Sequence, residues 1–132
     1  MLVMVVENEL VSALCVVEEL RSAGYAVLGP AVAPAQALDL ARREHPQLAL
    51  VDIDLVSRGD GLELARQLRE MNIATLFVSA GYVPAIQHRH LALGFIGKPY
   101  NPADIPPSVA VVAALLAGDR PPTPPRSLQL FG

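Results

Sequence analysis

The sequence predicts an open α/β fold, a doubly wound (βα)5 domain on a five-stranded parallel sheet. Short apolar runs alternate with amphipathic stretches along most of the chain, the pattern of βαβ units. Four of those runs stop on polar residues: Met1–Val6 on Glu7 and Asn8, Leu48–Val51 on Asp52, Ala74–Val78 on Ser79, and Leu91–Gly97 on Lys98. A chain of 132 residues that is 52% hydrophobic and 17% charged carries enough apolar side chains to bury one such core.

Each element has its own warrant. Residues 1–6 form the first strand. A helix is expected over residues 9–23, with Asn8 placed as its N-cap and Gly24 as its C-cap. Tyr25–Gly29 reads as a short strand. Pro34–Glu44 reads as a helix whose Ala37, Leu38 and Ala41 make one narrow stripe, ended at His45-Pro46. The third strand is Leu48–Asp52, followed by the turn-forming loop Val56–Asp60 and a helix over Gly61–Met71 with Leu62, Ala65 and Leu68 on one face. Ala74–Ser79 is the fourth strand.

The alternation then breaks. Gly81, Pro84 and Gly94 leave room for about two helical turns over Ala85–His90, so the fourth helix is expected to be degenerate and residues 81–90 mobile. Leu91–Lys98 is the fifth strand, and the final helix is expected over Pro107–Ala117, with Pro107 opening it. Residues 1–118 make one domain and 119–132 a proline-rich tail. That tail runs as polyproline from Arg120 to Arg126 and ends in Leu128, Leu130 and Phe131, either disordered or docked on the body or on a neighbouring subunit.

In an open α/β sheet the carboxyl ends of the strands share the edge where ligands bind. Glu7, Asn8, Asp52, Ser79 and Lys98 are therefore expected in one pocket. A carboxylate nucleophile, oxygen ligands for a metal, a hydroxyl and an ammonium together suit a phosphoryl group. Each has a bland reading by itself: a strand-end aspartate often caps a turn, and serine there is ordinary. Their joint placement in four strand ends favours chemistry.

This constellation resembles the receiver domain of two-component response regulators, over roughly residues 2–118, and so implies a flavodoxin-like fold. By that resemblance Asp52 is the phosphoacceptor, Glu7 and Asn8 stand at the acidic pair that binds Mg2+, and Asp54 lends the metal its backbone carbonyl. Ser79 is the switch hydroxyl, Lys98 holds the phosphoryl oxygens through a cis Lys98-Pro99 peptide, and Phe95 matches the aromatic that changes rotamer on activation. Asn8 departs from the family's usual aspartate and leaves the metal site one charge short, so weaker Mg2+ binding and slower phosphorylation are expected. The loop after Asp52 departs too, about one residue longer and with Val56 where proline is common. Phe77-Val-Ser-Ala-Gly-Tyr82 is similar to the FAT GUY motif of receivers with a degenerate fourth helix, which implies a histidine kinase partner of the HWE type.

The remaining signals are exclusions. No run approaches the length of a membrane span, and a net charge of −3 without a basic stretch argues against a nucleic-acid partner. Cys15 alone cannot form an internal disulfide, which fits a reducing cytoplasm. His45, His88 and His90 share no ligand spacing with carboxylates or cysteine, so a transition-metal site is not expected. The reading is a monomeric or weakly dimeric response regulator that is not a turnover enzyme and signals by protein contact. Two alternatives stay open: a phosphorylation-independent binding module, favoured by Asn8, and a metal-dependent phosphatase with Asp54 as general acid.

Overall fold

Strand residues of this chain are apolar on both sides of the pleat, as a sheet covered on both faces requires. The computed structural model describes residues 1–53, 58–80 and 89–131, without the side chains of 58 and 59. Strands β1 (Leu2–Val6), β2 (Ala26–Ala31), β3 (Leu48–Asp52), β4 (Ala74–Ser79) and β5 (Gly94–Gly97) lie in the order β2-β1-β3-β4-β5, all pairs parallel. The helices are α1 (Leu10–Ser22), α2 (Pro34–Glu44), α3 (Arg58–Glu70) and α4 (Ile105–Ala117). This is the doubly wound sheet that the sequence predicts.

Alternation along β1 sets the two layers. Val3 and Val5 join Leu50, Leu76 and Ile96 under Val16, Val17 and Leu20 of α1 and Val109 and Val112 of α4. Met4 and Val6 join Val51 and Phe77 under Ala37 and Ala41 of α2 and Leu64, Ala65 and Leu68 of α3. Burying one such Leu, Ile or Val contributes about 1.5–3 kcal/mol. These two cores hold the carboxyl ends of β1, β3, β4 and β5 in register. Arg43 pairs with Asp39, and Arg66 with Glu63 and Glu70, all on exposed helix faces.

Several boundaries differ from expectation. The final helix begins at Ile105, two residues early, because Pro106 and Pro107 fall in the first turn, where backbone N–H groups have no intrahelical acceptor. A 3-10 turn over Pro102–Asp104, with the Asn101 side chain accepting from Ala103 N, feeds directly into it. The N-cap of α1 is Glu9, whose carboxylate accepts from Val11 N and Ser12 N; its longer side chain reaches the first turn, so the cap is not Asn8. Leu91 closes a 3-10 turn (Arg89–Leu91) and β5 starts only at Gly94. The α3 helix opens at Arg58, three residues before Gly61.

The tail ending is docked. Strand β6 (Leu128–Leu130) pairs antiparallel with β5 and makes the sheet six-stranded. Leu128 is buried against the α1/α4 side of the sheet, while Leu130 is exposed. Of the segment expected to hold a degenerate, mobile fourth helix, residues 81–88, with the motif residues Gly81 and Tyr82, lie outside the described residues, as do Asp54 and Val56, while Arg89 and His90 fall in the 3-10 turn Arg89–Leu91. No helix among the described residues is long and apolar enough to cross a membrane.

Candidate functional site

Backbone bonds at the strand ends fix the site before any side chain is placed. Glu7 N donates to Ala31 O (2.9 Å), Ile53 N to Val78 O (3.1 Å) and Lys98 N to Ser79 O (2.8 Å). These bonds carry the parallel ladder one residue past β1, β3 and β5. Glu7, Asp52, Ser79 and Lys98 therefore meet at one edge of the sheet.

Asp52 and Ser79 are almost wholly buried, at 2% and 1% exposure. Lys98 Nζ donates to Asp52 Oδ2 at 2.7 Å across a gap of 46 residues in sequence. The Lys98-Pro99 peptide is cis, as is Gly29-Pro30. A charge-assisted bond of this length is among the stronger single contacts available to a side chain, and removing one partner of a buried pair strands the other charge.

Glu7 is the second buried carboxylate. Burial, reinforced by the hydrogen bond and the negative charge of Asp52, pushes its carboxyl up to about 8, while Lys98 pulls the other way. At neutral pH Glu7 thus keeps its proton and shares it with Asp52. Two acidic groups face one ammonium, and the proton supplies the missing positive charge. A hard divalent cation suits such an oxygen donor set and would replace that proton. Asn8 is exposed at the turn between β1 and α1, outside the capping set. Asp54 lies outside the described residues. Among the described residues no three His, Cys, Asp or Glu side chains form a metal cluster.

Phe95 lies on β5 opposite Phe77, 4% exposed, and its ring packs tilted on Phe131 at 5.7 Å. A cavity of about 530 Å3 beside the site is lined by Glu7, Glu9, Ser12, Cys15, Lys98 and Tyr100.

Two site residues escaped the sequence reading. Gly61 opens the part of α3 that crosses the end of β3: a Cβ there would lie 2.7 Å from Ile53 Cα and 3.0 Å from Asp52 O. Its signal was a glycine just after a turn-rich loop. Tyr100, two residues past Lys98, is pushed up to about 12 by burial and by the charges of Glu7 and Asp52, so it keeps its hydroxyl proton beside the carboxylates.

Comparison with known proteins agrees with this geometry. Residues 3–110 match a family model described as the response regulator receiver domain. The chain is 26% identical over 120 residues to the transcriptional regulatory protein PdtaR of Mycobacterium tuberculosis, a match covering 85% of this chain and 56% of that protein. It therefore spans about half the length of that relative. Among solved structures it is similar to the signal receiver domain of a modulated diguanylate cyclase from Desulfovibrio desulfuricans G20, at 30% identity and a TM-score of 0.69, covering 79% of this chain and 85% of that one. A CheY-like receiver domain protein from Methanospirillum hungatei JF-1 shares the fold, at 22% identity and a TM-score of 0.72, covering 89% and 94%.

Proposed function

Because the chain belongs to the response regulator receiver domain family of two-component systems, we propose that it accepts a phosphoryl group on Asp52 from a histidine kinase and signals by contact with a downstream protein. The observation that carries this reading is the 2.7 Å bond from Lys98 Nζ to a nearly buried Asp52. In the transfer an Asp52 oxygen bonds to phosphorus as the P–N bond to the donor histidine breaks. The imidazole departs with the electron pair and takes up a proton.

Lys98 neutralises charge as the anionic oxygens crowd together, and the Ser79 hydroxyl donates to one of them. Phe95 is the aromatic whose position follows Ser79. Glu7, Asn8 and Asp52, with the carbonyl of Asp54, would hold Mg2+, which when bound supplies further positive charge to the phosphoryl oxygens. The likeness of Phe77-Val-Ser-Ala-Gly-Tyr82 to the FAT GUY motif supports an HWE-type kinase as the donor.

Beryllofluoride, a mimic of the phosphoryl group, tests the assignment. With Mg2+ it should give a bound fluorine resonance in the wild type and in Asp54→Ala, and none in Asp52→Ala. The reverse pattern would sink the proposal.

A further inference from the structure

Strand β6 covers the outer edge of β5, and its contacts lead back to the phosphoacceptor pocket. Gly97 N donates to Ser127 O (3.0 Å) and Phe131 N to Leu93 O (2.9 Å), one on each side of the three-residue ladder. Ser127 Oγ donates to Asp104 Oδ2 at 3.0 Å, and the Phe131 ring lies on Phe95. Gly94 is shaped for this approach: a Cβ there would overlap Gln129 O and touch Leu130 Cα.

The dipeptide Gly97-Lys98 is tied to both systems. Gly97 N–H is held by the tail, while Lys98 N–H is held by Ser79 O and Lys98 Nζ by Asp52. A cavity of about 530 Å3 is lined by Ser79, Phe95 and Lys98 on one side and by Arg126, Ser127 and Gln129 on the other. A dianionic group on Asp52 changes the pull on Lys98 and Ser79, so the Gly97 amide and the Phe95 ring feel it directly.

We propose that β6 is an intramolecular latch on the β5 edge, that loading of the Asp52 pocket releases it, and that the freed edge takes an extended apolar segment of a partner protein by strand addition. The coupling rests on the phosphoacceptor reading above; the docking surface does not. The tail itself shows which chemistry fits: an antiparallel strand with apolar residues at the places of Leu128 and Phe131. A second copy of this chain is the weaker candidate, because it offers the same strand that the cis tail already presents at high effective concentration. A latch of three ladder positions, following the proline-rich stretch Arg120–Arg126, belongs to the low end of local stability and can be displaced.

The test uses a fluorescent peptide with the sequence of residues 126–131 and follows its anisotropy on the 132-residue chain. Leu128→Asp with Phe131→Ala should open the edge and bind the peptide at least about tenfold more tightly than the wild type, since the cis competitor is gone. Adding Gly94→Ala to that variant should abolish the gain by blocking strand approach; circular dichroism on both variants checks that the sheet persists. An open variant that is folded yet binds no better than the wild type overturns the docking surface.

Beryllofluoride with Mg2+ should raise peptide binding by the wild type. If beryllofluoride is seen bound and peptide affinity is unchanged, the coupling is wrong and the phosphoacceptor reading stands. If no bound beryllofluoride is seen, the phosphoacceptor reading fails and the coupling with it, while the open variant still decides the docking surface. A dimer with exchanged tails in sedimentation would overturn the choice of a foreign partner.

Discussion

Two carboxylates and one ammonium crowd the pocket, and the proton on Glu7 balances them. The unfolded chain releases that proton near 4.5 and the folded chain near 8. Between those values the folded state binds more proton, so its stability falls as pH rises, and the contribution is complete below 4.5. In the presence of a chelator, the wild type should lose Tm across this window relative to Glu7→Gln, which keeps the shape without the titration. Parallel profiles for the two proteins would contradict the protonated pair. Asn8 makes the opposite kind of test. A full charge about 4 Å from a divalent ion is worth ~2 kcal/mol even in a water-like medium. Asn8→Asp should therefore tighten Mg2+ by about tenfold or more in a calorimetric titration, and unchanged affinity would show that position 8 is not a ligand.

The strand ends explain why so much of the site was legible. An apolar run broken by one polar residue is visible in sequence, and Glu7, Asp52, Ser79 and Lys98 each end such a run. What the sequence hid depends on reach and clearance. Glu9 rather than Asn8 caps α1 because its longer side chain spans the first turn. Pro106 looks like a helix breaker yet sits where no N–H is needed. Strand β6 is three residues after a proline run, too short for a periodic signal. Gly61 has a role only through the close crossing of α3 over β3. Gly61→Ala should cost roughly 1–3 kcal/mol, because backbone on both sides resists the methyl group. The same substitution should weaken beryllofluoride binding by moving Asp52 O. Wild-type melting and wild-type binding together would remove Gly61 from the site.

Across the described residues, two apolar layers on one sheet hold four strand ends in place, and the candidate site occupies the edge they share. The tail then closes the far side of that sheet over Phe95. The pocket and the covered β5 edge are thus separated by a single strand, a short path for a signal with no need of a long network. The proposed phosphoryl transfer joins Asp52 covalently to phosphorus. Intact mass spectrometry after incubation with Mg2+ and a small acyl phosphate reads that bond directly. The wild type should gain the mass of one phosphoryl group and lose it slowly by hydrolysis, while Asp52→Asn should gain nothing. A wild type that stays unmodified, or an Asp52→Asn protein that is modified equally, would contradict it.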